Sequence, residues 1–269
     1  MDDLRQREDE FGLTRTQKLG LKYVKDFQQK IPRTEAEHIV AVVARAADRA
    51  YGPHKVEITP CGSMRRGASS MSDIDIVLAP REGCVLAGGL KPLLAELRDA
   101  GNLKEELGGH APNSPWDDGE ETFLGVFRLT DPGSLHRRVD LILCRRAHQP
   151  LVLLNWTGSG LFLRELHRLA NYKGLKISPT QLLSRGPSGA VPVPVTAEED
   201  VFEMLGLPYR LPKDRELDDS LMRFVHACRP GGPPLKRQKS EGASSQTASS
   251  PAASSSQMLC LEISEDEGG

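Results

Sequence analysis

No run of apolar residues in this chain approaches the ~18 that a membrane-spanning helix requires. The acidic opening MDDLRQREDE leads into no apolar segment of the kind that directs secretion, so the expectation is a soluble, intracellular protein with no membrane partner. Cysteine is sparse: Cys61, Cys84, Cys144, Cys228 and Cys260 are odd in number, scattered, and never in a C-x-x-C spacing. Neither a disulfide framework nor a structural zinc site follows from that pattern. A charge excess is also missing, since 35 basic residues stand against 37 acidic ones for a net −2, and no long-range basic field announces a nucleic-acid partner. The chain contains no internal repeat.

What is present divides unevenly. A chain of 269 residues can bury a full core in one or two compact units. From Cys228 onward the composition shifts to RPGGPPLKRQKSEGASSQTASSPAASSSQ, with almost nothing to bury, and residues 228–269 read as a disordered tail. Ahead of the tail, helices are predicted over residues 17–31 and 34–51, split by Pro32, with Thr34 as N-cap and Glu37 three residues on. Strands over 56–59 and 73–78 bracket the turn GSMRRG, and a crossover helix covers 90–100. After a Gly/Pro-rich excursion from Gly108 to Gly119, FLGVFRL and RRVDLILC supply two more strands. A helix over 158–171 and a short one in EEDVFEMLGLPY, ended by Gly206, complete the pattern. This order predicts an α+β fold with a mixed sheet, flanking helices and a small α-rich end. Its divisions fall at 1–33, 34–150, 151–227 and 228–269.

Within the sheet region, CGSMRRGASSMSDIDIVL carries the chemistry. In a strand beginning at Asp73, alternation places Asp73 and Asp75 on one face and Ile74 and Ile76 on the other. Two carboxylates that close raise each other's proton affinity unless a positive charge lies between them, and a divalent cation supplies one. A lone D-x-D more often marks a strand-opening turn and a solvated face. Here a third aspartate, Asp140, enters a second apolar strand in RRVDLILC. Three carboxylates on neighbouring strands suit two Mg²⁺ ions, with Mn²⁺ as a substitute, and in-line phosphoryl or nucleotidyl transfer. Gly62 would let a backbone N–H approach an anion, while Ser63 and Arg66 offer a hydroxyl and a guanidinium to triphosphate oxygens.

Taken together, GS-x-RR-G, D-x-D and R-x-D resemble the X family of DNA polymerases, in its branch of polymerases lambda and mu and terminal deoxynucleotidyltransferase. The likeness runs from about Thr16 to Arg215, with TQKLGLKYVKDFQQKIPR similar to the end of that family's fingers and NWTGSGLFLRELHR and VTAEEDVFEMLGLPYR to its nucleotide-binding segment and thumb. The resemblance implies nucleotide addition to a DNA 3′ end in gap filling and end joining, in the nucleus, on primer–template or broken ends, with deoxynucleoside triphosphates and some use of ribonucleotides. It implies Asp73, Asp75 and Asp140 as metal ligands, and Gly62, Ser63, Arg66, Lys30, Asn155, Trp156 and Gly158 at the nucleotide. Arg138 would support the catalytic strand, with Arg164 and His167 at the DNA.

Departures from the family pattern are specific. Lys30 and His167 stand where arginines are usual, Leu163 replaces a polar residue, and Asn155 replaces a tyrosine or glycine beside the sugar. The family's N-terminal lyase and helix-hairpin-helix regions have no counterpart before Thr16. Two other readings share these motifs: a more distant nucleotidyltransferase acting on RNA or a small acceptor, and a weakly active accessory to end joining. In the tail, PPLKRQKS reads as a nuclear import address, and MLCLEISEDEGG, with alternating apolar residues before acids over 258–267, resembles a SUMO-interacting strand.

Overall fold

A computed structural model describes residues 11–110, 120–186 and 189–230. The opening acidic segment, most of the excursion after His110, the basic PPLKRQKS segment and the terminal apolar-acidic motif lie outside the described residues.

The first helix, α1 (Arg15–Phe27), is set by a capping box: the Thr14 hydroxyl accepts from the Gln17 amide while the Gln17 side chain accepts from the Thr14 amide. A two-residue strand β1 (Ile31–Pro32) leads directly into α2 (Arg33–Tyr51). The expected capping role of Thr34 is not seen. Pro32 is the N-cap residue, and Glu37 instead receives the Arg33 guanidinium at 2.9 Å. That guanidinium also reaches the carbonyls of Met64 and Ala68, so tertiary contacts decide how this helix begins.

Strand β2 (Val56–Pro60) is followed by α3 (Gly62–Arg65), the short strand β3 (Ser70–Met71), β4 (Ile74–Pro80), α4 (Lys91–Asp99), β5 (Leu103–His110), β6 (Glu121–Arg128) and β7 (His136–Leu143). Five of these make a mixed sheet in the order β2-β4-β7-β6-β5, in which β4 and β7 are parallel and the other neighbours antiparallel. One sheet face buries Ile74, Ile76, Leu78, Phe123, Phe127 and Leu141 against Ile39, Val43 and Ala46 of α2 and Leu93 and Leu97 of α4. The opposite face carries Val77, Ala79, Ile142 and Cys144 beneath Val152. That second face also holds the aspartates, because the period of two puts Asp75 with Val77 and Asp140 with Ile142.

Beyond a 3₁₀ turn come α5 (Gln149–Thr157), α6 (Gly160–Tyr172), strands β8 (Leu175–Ile177), β9 (Leu182–Gly186) and β10 (Gly189–Val193), then α7 (Glu198–Met204) and α8 (Asp219–Ala227). The three strands form a separate antiparallel sheet in the order β10-β9-β8. A second core of Leu154, Phe162, Leu166, Phe202, Leu221 and Val225 holds these elements together. Among the described residues no helix is long and apolar enough to cross a membrane.

Candidate active site

Strand β4 begins at Ile74, one residue later than expected, so Asp73 sits in the bend that enters it. Asp75 lies directly opposite Asp140 in the parallel β4–β7 register. Asp140 is only 4% exposed, and its Oδ1 is buried with no hydrogen-bond partner. Arg138, two residues earlier on the same face of β7, bonds Asp73 Oδ2 and lies 3.5 Å from Asp140 Oδ2. Burial pushes the Asp75 carboxyl up to about 7, with the charges of Asp73 and Asp140 adding to the shift. Burial likewise raises Asp140 to about 6, against the pull of Arg138 and with Asp73 adding.

Among the described residues no three His, Cys, Asp or Glu side chains are gathered tightly enough to enclose an ion as they stand; the Arg138 guanidinium lies against Asp73 and Asp140 instead. The donor chemistry nevertheless fits Mg²⁺. All three groups are carboxylates, the type this hard cation takes, and the buried oxygen of Asp140 that has no hydrogen-bond partner would serve as one such donor.

The turn in front of β4 is shaped around the same carboxylates. Gly62 has φ +53°, and a Cβ there would fall 2.0 Å from Asp75 Oδ2, so only glycine admits the aspartate. The Cys61 amide donates to the Asp75 carbonyl at 2.7 Å and pins α3 to the strand. A cleft of about 370 Å³ opens here, and its lining brings together Lys30, Gly62, Ser63, Arg66, Asp73, Asp75, Trp156 and Gly158. Lys30 Nζ donates to the Ser72 hydroxyl at 2.7 Å. Arg66 Nη1 donates to the Thr157 carbonyl at 2.7 Å, and Gly158 lets it come close: a Cβ there would stand 3.1 Å from that nitrogen.

Other expected residues take different places. Asn155 is turned away from the cleft, its amide donating to the carbonyls of Leu151, Ser178 and Pro179. His167 lies 3.4 Å from the Asn155 side-chain oxygen, and burial lowers its pKa so that the neutral ring is favoured. Arg164 is largely exposed beside the buried Glu165 at 3.6 Å. The Trp156 indole N–H donates to Glu120 at 2.9 Å, tying the rim of the cleft to the start of β6.

Sequence reasoning missed the groups that fix the turn to the α-rich unit. Arg65 makes a two-pronged pair with Glu198 at 3.0 and 2.7 Å and donates to the Thr157 hydroxyl at 2.6 Å. The fully buried Arg215 reaches the same Glu198 at 2.6 Å. The Arg65–Glu198 pair joins positions 133 apart along the chain, so no local pattern in the sequence announces it.

A mixed sheet that sets Asp75 against Asp140 on two parallel strands, with a helix-rich unit held to its GSMRRG turn, has the form of a polymerase palm and thumb. A family model described as DNA polymerase beta palm matches residues 30–146, and one described as DNA polymerase beta thumb matches residues 152–216. The chain belongs to the X family of DNA polymerases. It is similar to DNA polymerase lambda of Rattus norvegicus, 35% identical over 215 residues that cover 76% of this chain and 36% of that protein. DNA polymerase lambda of Arabidopsis thaliana is 32% identical over 228 residues, covering 81% and 42%. DNA-directed DNA/RNA polymerase mu of Homo sapiens is 32% identical over 239 residues, covering 80% and 47%. The chain therefore spans less than half the length of each of these relatives.

Proposed function

We propose that this chain adds nucleotides to a DNA 3′-OH in gap filling and break end joining, using deoxynucleoside triphosphates and primer–template or DNA ends. The observation that carries the reading is Asp75 registered against Asp140 across parallel strands, beside a cleft lined by Gly62, Ser63 and Arg66. Asp73, Asp75 and Asp140 would hold two Mg²⁺ ions. When bound, those ions supply charge that lowers the proton affinity of the attacking hydroxyl and steadies the leaving pyrophosphate. Asp140 would help take the proton of that hydroxyl. Ser63, Lys30 and Arg66 hold phosphate oxygens, Trp156 and Gly158 border the sugar and base, and Thr157 orients Arg66 through its carbonyl. Asn155, engaged with thumb carbonyls, leaves the sugar side uncrowded, in keeping with the use of ribonucleotides. Arg164 and His167 on α6 would face DNA.

A polymerase with this activity would work in the nucleus. Lys236, Arg237 and Lys239 support that as an import address, and the alternating apolar and acidic sequence of residues 258–267 would suit addition to a sheet edge of SUMO. The test of the catalytic reading is extension of a labelled gapped or single-stranded DNA with Mg²⁺ or Mn²⁺ and nucleotides. Extension is expected, and Asp140→Ala should remove at least ~4 kcal/mol of transition-state stabilisation, about three decades in rate. Folded wild-type protein that extends no DNA would favour the accessory role instead.

A further inference from the structure

The two adjacent arginines of the GSMRRG turn hold partners of very different kinds. Arg65 is locked to Glu198, whose side chain is 7% exposed, and both belong to a buried network. Arg66 is paired with Glu216, its Nε 2.8 Å from Glu216 Oε1, and the Glu216 side chain is 63% exposed. A carboxylate that well hydrated gives up an ion pair at little cost. Its base is nonetheless fixed. The preceding Arg215 is fully buried, with its guanidinium bonded to Glu198, Tyr209 and the Arg210 carbonyl, and its own carbonyl accepts from the Ser159 amide at 2.9 Å. Glu216 is thus presented to Arg66 from an anchored backbone.

Arg66 lines the cleft with Asp75 and Gly62, and its charge is felt at Asp75. The Arg66 fork has one donor on the Thr157 carbonyl and another on Glu216. A phosphate group, with more charge and more acceptor oxygens than one carboxylate, competes for the Glu216-facing side of that fork. We infer that Glu216 is a built-in competitor of the nucleotide's phosphate tail for Arg66, displaced when a triphosphate enters the cleft. It therefore sets affinity for the triphosphate without touching the reacting atoms. This inference rests on the triphosphate reading of the cleft given above.

The experiment titrates the full chain and its Glu216→Gln and Glu216→Asp variants with Mg²⁺–dATP, Mg²⁺–tripolyphosphate and deoxyadenosine, following heat or tryptophan emission. Glu216→Gln should bind the two phosphate-bearing ligands about two- to fivefold more tightly, the range an exposed ion pair commands. Glu216→Asp should restore wild-type affinity, deoxyadenosine should show no difference, and thermal unfolding should be unchanged. Equal or weaker dATP and tripolyphosphate binding by Glu216→Gln overturns the inference alone. Absence of dATP and tripolyphosphate binding by the wild type overturns it together with the triphosphate reading.

Discussion

Asp75 and Asp140 face each other in surroundings that favour their protonated forms, and that has a cost without metal. A carboxyl whose folded-state pKa lies above its unfolded value makes the folded state bind more protons between the two values. Stability then falls as pH rises through that window. For Asp75 the window runs from 3.8 to about 7. Asp75→Asn removes the charge that must otherwise be buried there, so in chelator the variant should be more stable than wild type at pH 8, on the order of 2 kcal/mol. The gap should close toward pH 4. Urea unfolding at the two pH values, with and without Mg²⁺, measures it; a variant equally or less stable than wild type at pH 8 would refute the burden assigned to Asp75. At this scale Asp75 and Asp140 were legible because each sits in an apolar strand, whereas Asp73 lies in the bend before β4, where alternation does not apply. Glu198, Arg215 and Glu216 were not, since each acts through a partner remote in sequence or through burial that spacing does not encode.

Among elements, those with a clean period were readable and those without were not. Strands β4 and β7 announce themselves by apolar runs opened with aspartate, and α6 by its apolar stripe. Strand β5 reads LKEELGGH, charged and glycine-bearing, and its register shifts twice against β6, so alternation is lost; the predicted excursion begins inside this strand at Gly108. Helix α5, QPLVLLNWT, buries Leu151, Val152 and Leu154 among different neighbours, which erases a one-sided stripe. The three-strand sheet of the thumb is too short and too exposed to show a pattern. The turn element α3 was read as an anion cradle, and its glycine meets a stricter demand than phosphate access. Gly62→Ala combines a left-handed φ with a Cβ driven into the Asp75 carboxylate. It should lose about 1–2 kcal/mol of stability from backbone strain, with a fall in kcat of more than tenfold because Asp75 is displaced. Thermal melting and single-turnover extension give the two numbers. Full kcat in a folded Gly62→Ala protein would show that Asp75 tolerates the displacement.

For the whole molecule, palm and thumb are joined through one carboxylate of the thumb that a palm arginine shares. Glu198, 6% exposed at the start of α7, accepts two bonds from Arg65 of the palm turn and one from the buried Arg215 of the thumb. The two guanidiniums hold its carboxyl below the usual glutamate range even though burial alone would raise it. Its folded pKa being depressed, the stability it contributes is present above the unfolded value of 4.5 and is lost as pH falls through the lower folded value. Glu198→Gln leaves two arginines facing a neutral amide, one of them fully buried, and should cost about 3–5 kcal/mol near pH 7. Because the wild type protonates Glu198 in acid, the difference from Glu198→Gln should shrink below pH 4.5. The loss should also reach the active site, since Arg65 shares Thr157 with the Arg66 contact through that residue's hydroxyl and carbonyl. Denaturant midpoints at pH 7 and pH 3.5, together with dATP affinity at pH 7, test both effects. A variant whose midpoint deficit is the same at both pH values would show that the network's charge is not what holds the thumb to the palm.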